Sequence, residues 1–141
     1  MKVCVLQPDY STTGVDYKNY DPPRDLSPLL PDDVVHNVFL NKLTTYKQLK
    51  DLSKQGYDIF VNLCEGYLEW EIPSIDVIYT LELLNIPFTG PTTKLYDPPK
   101  ELMKYLAFCE GVKTPGYVII NELNDVDDAV NNLSFPLFVK P

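Results

Sequence analysis

Along the first part of the chain, short apolar runs alternate with stretches whose apolar positions recur every three or four residues. That alternation predicts strands interleaved with helices. Lys2-Val-Cys-Val-Leu-Gln7 is a compact apolar run suited to a buried strand, and His36–Leu40 reads as a second strand. Leu43, Tyr46, Leu49 and Leu52 then repeat at helical spacing, with Gly56 placed to end the helix as a C-cap. Tyr57–Leu63 is a third strand. Ser74 can cap a second helix whose stripe is Ile75, Ile78, Leu81 and Leu84, widened by Val77, and Ile86–Phe88 follows as a short strand. Strand–helix–strand–helix–strand order predicts right-handed crossovers and a mainly parallel sheet, hence a Rossmann-like α/β domain over residues 1–90. Residues 8–33 break the pattern. They carry no usable period, five prolines, and Tyr10, Tyr17 and Tyr20. A loop of that length inside a compact domain is usually functional or disordered.

A boundary is expected near Gly90-Pro91, and residues 91–141 have a different character. Asp97-Pro98-Pro99 predicts a helix opened by a capping acid with proline in its first turn, a stripe of Leu102, Leu106 and Cys109, and an end at Gly111. Tyr117–Ile120 reads as a strand, and Asn124 can cap a helix carrying Val126, Ala129, Val130 and Leu133. Phe135–Lys140 reads as another strand. This is an incomplete α+β piece. Leu133, Leu137 and Val139 would normally pack against later elements, so residues 91–141 in isolation are expected to expose apolar surface, and with it to dimerise, aggregate or show local disorder.

Composition narrows the class. Of 141 residues, 45% are hydrophobic and 23% charged, which suits a folded soluble chain. No apolar run approaches the length that spans a bilayer, and Pro8 interrupts the N-terminus too soon for a signal peptide. Cys4, Cys64 and Cys109 are dispersed and odd in number, which favours buried thiols in the cytoplasm over a disulfide framework. A formal net charge of −8 argues against a nucleic-acid partner, though a nucleotide pocket needs only a few well-placed cations.

Candidate chemistry lies in two places. Asn62-Leu-Cys-Glu-Gly66 follows the third strand, and parallel sheets bind ligands beyond the carboxyl ends of their strands. Glu65 could hold an ammonium group and Gly66 could let backbone approach a ligand; equally, this is an ordinary strand-to-loop turn. Lys100, Lys104 and Lys140 form the second set. Lysines on opposing elements can straddle a polyphosphate, while the plain alternative is a solvated helix face and a strand-end lysine. Glu65, Glu69 and Glu71 crowd one loop, and Trp70 could line a pocket or cover the sheet edge. His36 is the one histidine, read here as a strand cap; its solitude removes His-based triads and His-rich metal sites. No glycine-rich phosphate loop is present, and no catalytic or metal residue is assigned.

Five stretches resemble the ATP-grasp ligases, most closely the D-alanine–D-alanine ligase group and its relatives. They are Phe60-Val-Asn-Leu-Cys-Glu-Gly66, Thr80-Leu-Glu-Leu-Leu-Asn-Ile-Pro-Phe-Thr-Gly90, Tyr96-Asp-Pro-Pro-Lys-Glu-Leu-Met-Lys104, Gly111-Val-Lys-Thr-Pro115 and Phe135-Pro-Leu-Phe-Val-Lys-Pro141. The resemblance implies a pre-ATP-grasp domain over residues 1–90 and the beginning of an ATP-grasp domain over 91–141. It implies ATP and Mg²⁺ as cofactors, amino-acid-like substrates, and carboxylate–amine ligation through an acyl-phosphate. Lys100, Lys140 and Lys104 would bind ATP, and Glu65 and Gly66 would edge the substrate cleft. Two places depart from the family. Its glycine-rich turn after the first strand is replaced by Gln7-Pro-Asp-Tyr-Ser-Thr-Thr-Gly14, and a Glu-Asp-Gly turn by Tyr67-Leu-Glu-Trp-Glu-Ile-Pro73. The family's acidic metal ligands and transition-state arginine lie downstream of the resembling stretch, so these residues are expected to be inactive alone. The alternative is a non-catalytic small-molecule-binding or interaction module of the same α/β fold.

Overall fold

A computed structural model describes residues 1–11, 13–14 and 20–140. Tyr17 and Pro141 lie outside the described residues. By contact the chain divides into two units, Met1–Tyr96 and Asp97–Pro141, a division later in the chain than residue 90.

The first unit is a parallel sheet with helices between its strands. β1 (Lys2–Pro8), β2 (Val34–Leu40), β3 (Ile59–Asn62) and β4 (Phe88–Thr89) lie in the order β2-β1-β3-β4. Every pairing is parallel. β1 is paired on both sides, Val3 opposite Val35 on one and Ile59 on the other. The stretch of β1 paired on both sides favours apolar residues, and Val3, Cys4, Val5 and Leu6 are all buried. α1 (Thr45–Leu52) joins β2 to β3, and α2 (Ile75–Leu83) joins β3 to β4. Leu49 and Leu52 of α1 share one core with Val77 and Leu81 of α2, Cys4 and Leu6 of β1, Leu40 and Phe60. Each large apolar side chain so enclosed contributes roughly 1.5–3 kcal/mol relative to exposure.

Several local expectations change. Leu43 is 93% exposed, because α1 begins two residues after it; the buried stripe is Thr45, Leu49 and Leu52. Gly56 has a left-handed φ of +69°, yet α1 ends at Leu52 with Ser53 as C-cap, so Gly56 serves the turn into β3 instead. Ser74 stands at the N-cap of α2, but its side chain does not cap the helix. Asp76 acts there: its carboxylate accepts the Ser74 N–H at 2.8 Å. His36 is the third residue of β2 and not a strand cap; its Nδ1 lies 2.9 Å from the Tyr57 hydroxyl.

The second unit contains α3 (Lys100–Cys109) and α4 (Asp125–Asn132), and among its described residues no strand. The strands expected at Tyr117–Ile120 and Phe135–Lys140 are therefore absent as ladders. Their apolar composition suits a sheet, but no partner strand is paired with either. Asp97 does not cap α3, which starts only after both prolines with Pro99 at the N-cap. Its end follows the sequence closely. The Gly111 N–H donates to the Phe108 carbonyl at 3.0 Å and the Val112 N–H to that of Ala107 at 2.8 Å, a Schellman closure made possible by φ +68° at Gly111. Leu102 and Leu106 of the expected stripe are 37% and 47% exposed, and Ala129 is the one buried apolar residue among those described in this unit.

Burial separates the thiols. Cys4 and Cys64 are enclosed, whereas Cys109 is exposed. Desolvation pushes the Cys4 thiol from 9.0 up to about 11, and Cys64 rises further, the Asp76 and Asp21 carboxylates adding to its burial. Below pH 9 both thiols are neutral folded or unfolded. Above it the unfolded chain ionises first, so stability falls as pH rises from 9 toward 11. A thiol-specific reagent at pH 8 is expected to modify Cys109 at once, and Cys4 and Cys64 only on unfolding; rapid modification of all three would contradict the core as described.

Candidate functional site

The strand order locates the place where a ligand crevice is expected. From β1 the chain moves to β2 on one side, then returns past β1 to β3 on the other. This reversal is a topological switch point, and ligands of open parallel sheets bind at its carboxyl end. The loops leaving β1 and β3 flank it.

The β1 loop is built onto the sheet. Gln7 is 4% exposed, and a buried primary amide needs partners. Its Nε2 donates to the Arg24 carbonyl at 3.0 Å and to Asn37 Oδ1 at 3.1 Å, while its Oε1 accepts the Arg24 N–H at 2.7 Å. Asp21 accepts the Tyr10 hydroxyl and pairs with Arg24 at 3.1 Å. One buried glutamine thus anchors the far part of the long loop at the strand end.

The β3 loop carries Glu65 and Gly66. It leaves the sheet in register, because the Leu63 N–H donates to the Leu6 carbonyl at 3.0 Å. Asn62 Oδ1 accepts the Cys64 N–H at 3.0 Å, a local Asx bond that turns the chain while Cys64 stays buried. Glu65 is exposed. Gly66 adopts φ +124°, a conformation that L side chains rarely adopt, and the Trp70 ring lies against its Cα side. A Cβ at this position would meet Trp70 Cζ3 at 2.7 Å. Tyr67 packs edge-on to Trp70 with ring centroids 5.5 Å apart. Trp70 therefore covers the glycine turn, which is neither of the two roles read from sequence.

A polar clasp closes the same loop. Lys42, just after β2, reaches Asp76 Oδ1 at 2.6 Å and Ser74 Oγ at 3.0 Å. Ser74 is fully buried and donates its hydroxyl to the Tyr67 carbonyl at 2.7 Å. Sequence reasoning missed this group. The Ser-x-Asp spacing at a helix start was visible, but the lysine arrives from an element 34 positions away.

The three candidate lysines all belong to the second unit. Lys100 is the first residue of α3, is exposed, and has Met103 Sδ 3.9 Å from its Nζ. Lys140 is exposed with its Nζ 5.4 Å from the Phe138 ring centre. Neither is in an ion pair among the described residues. Each is a cation to which a phosphate oxygen could bind without first displacing a carboxylate. Lys104 differs: its Nζ donates to the Pro115 carbonyl at 2.7 Å and sits 4.7 Å above the Tyr117 ring, holding the segment after α3. Glu65, Glu69 and Glu71 are exposed. Among the described residues no three His, Cys, Asp or Glu side chains gather to hold a metal ion, so no Mg²⁺ site is assigned on them. No helix of the described residues is long and apolar enough to cross a membrane.

Comparison with known proteins supports a relationship to the D-alanine–D-alanine ligases. The chain is 31% identical over 96 residues to a protein of that name from Nitrosomonas eutropha, covering 66% of this chain and 30% of the relative. It is 35% identical over 65 residues to D-alanine–D-alanine ligase A of Bacillus cereus, covering 44% and 22% respectively. A D-alanine–D-alanine ligase of Nitrosospira multiformis is 36% identical over 63 residues, covering 43% and 21%. The chain thus spans at most about a third of the curated relatives it matches. No family model and no solved structure matches.

The clasp yields a quantitative expectation. Asp76→Ala leaves the Lys42 ammonium mostly enclosed without its carboxylate, which should cost roughly 2–3 kcal/mol in urea unfolding. Adding Lys42→Met should recover part of that loss. Strictly additive losses would show that the two charges do not act together.

Proposed function

We propose that this chain is the N-terminal part of an ATP-dependent carboxylate–amine ligase resembling D-alanine–D-alanine ligase. Residues 1–90 would form its pre-ATP-grasp domain and residues 91–141 the beginning of its ATP-grasp domain. The observation that carries the reading is the 31% identity over 96 residues to a ligase of this name. The Glu65-Gly66 turn at the β1/β3 switch point supports it independently.

In this reading ATP donates a phosphoryl group to the carboxylate of one amino-acid-like substrate, and the amine of the second attacks the resulting acyl-phosphate. These residues would contribute binding and orientation. Glu65, exposed at the end of a parallel strand, is assigned to the substrate ammonium, and Gly66 gives backbone access at the cleft edge. Lys100 and Lys140 are assigned to the nucleotide phosphates, where fixed cations stabilise charge that grows during transfer. Lys104, held by the Pro115 carbonyl and the Tyr117 ring, is less available to a phosphate than Lys100 and Lys140. The metal ligands are assigned to stretches of the ligase other than this one, and the reaction to the cytoplasm. It follows that these 141 residues alone do not turn over ATP.

A second reading, a non-catalytic small-molecule-binding module, draws on one observation: the whole sheet and its core lie within Met1–Tyr96. The two readings separate on ADP release by the gene's complete product with ATP, Mg²⁺ and amino acids, D-alanine among them. Amino-acid-dependent release favours the ligase, whereas ligand binding to the first unit without release favours the module. Within the active ligase, Lys140→Ala is expected to raise the KM for ATP about tenfold and to lower kcat, since a phosphate counter-charge worth about 1.4 kcal/mol or more is lost. Unchanged ATP kinetics would remove Lys140 from the site.

A further inference from the structure

The first unit holds one contact that the ligase reading does not use. The Tyr96 hydroxyl accepts the Gly66 N–H at 2.5 Å and donates to the Gly66 carbonyl at 2.9 Å. A single phenol therefore satisfies both backbone groups of the residue that follows Glu65, from 30 positions along the chain. Gly66 cannot find these partners in the sheet, because β3 ends at Asn62. Its φ of +124° also lies outside any regular element. Trp70 lies against Gly66 and Tyr96 bonds its backbone, while Glu65 remains exposed.

We infer that Tyr96 is a positioning residue for the Glu65-Gly66 turn. Its hydroxyl selects the one backbone conformation in which Gly66 presents both polar groups to the phenol. In so doing it ties the loop after β3 to the segment after β4. The role in ligand binding rests on the reading of Glu65 as a substrate contact; the conformational role does not. Binding a ligand at a turn already ordered costs less than ordering it on arrival, so such a tie favours affinity without touching the ligand. Sequence periodicity could not reveal it: Tyr96 lies in a polar, proline-flanked segment between helical patterns.

Trp70 is the one tryptophan of the chain and lies against Gly66, so its fluorescence reports on this turn and little else. The experiment compares the full chain with its Tyr96→Phe variant, which keeps the ring and removes the hydroxyl. The readouts are amide hydrogen exchange at Gly66, Trp70 emission and acrylamide quenching, and thermal unfolding. In the variant, Gly66 exchange should accelerate by about tenfold or more and quenching of Trp70 should increase, with exchange in β1 and the unfolding temperature nearly unchanged. Unaltered Gly66 exchange and Trp70 quenching would overturn the proposal. An equal loss of protection in β1 would also overturn it, because Tyr96 would then be a general stability residue. If the variant fails to fold, the unmodified chain still decides: a Gly66 amide exchanging at the rate of an open loop contradicts the bond. These readouts do not depend on ATP or amino acids, so failure of the ligase reading leaves the result interpretable.

Discussion

The enclosure of β1 governs this structure. Val3 to Leu6, the stretch bonded on both edges, is apolar and buried, and Gln7 just beyond it is buried with its amide hydrogen-bonded. The strand's central place also decides where chemistry can occur. Because β2 and β3 lie on opposite sides of β1, the connections leaving β1 and β3 diverge at their carboxyl ends, the place where parallel sheets bind ligands. The hydrophobic core and the candidate site thus arise from one arrangement of strands.

The loops at those strand ends are held by hydrogen-bonded polar groups. Gln7 fastens the β1 loop, and Lys42, Ser74 and Asp76 fasten the return of the β3 loop onto α2. No buried side-chain nitrogen or oxygen among the described residues lacks a partner. In a low-dielectric setting such networks are costly when half-made and rigid when complete. Glu65 is exposed on this loop, and the Gly66 that follows it has both its backbone groups hydrogen-bonded to the Tyr96 hydroxyl. The second unit contrasts with this. It buries little, displays Tyr105, Phe108, Phe135, Phe138 and Val139, and presents Lys100 and Lys140 without ion pairs among the described residues.

The sheet could be read from sequence because its signals are local. Runs such as Val3–Leu6 and Ile59–Val61 are apolar whichever neighbours they find, and the Ile78, Leu81 and Val77 stripe points inward as its spacing requires. Errors arose where one residue had competing uses. Leu43 matched a helical period yet falls in the turn before α1. Asp97 matched a cap, but two prolines delay the helix to Lys100. Tyr117–Ile120 and Phe135–Lys140 have strand composition, and composition cannot supply the partner strand that a ladder requires. The site followed the same logic. Glu65 and Gly66 could be singled out from their place after an apolar run, whereas Gln7, Lys42 and Tyr96 act through residues 17 to 34 positions away, beyond the reach of any short pattern.

The central proposal is that the carboxyl ends of β1 and β3 would receive the amino-acid substrate of an ATP-dependent ligase. A crystal structure of the gene's complete product with an unreactive ATP analogue, Mg²⁺ and D-alanine or another amino acid tests it most directly. The account predicts amino-acid density beyond Pro8 and Asn62, with its ammonium within hydrogen-bond distance of Glu65. Well-ordered amino acid bound away from those strand ends, with the Glu65-Gly66 turn facing only solvent, would contradict it.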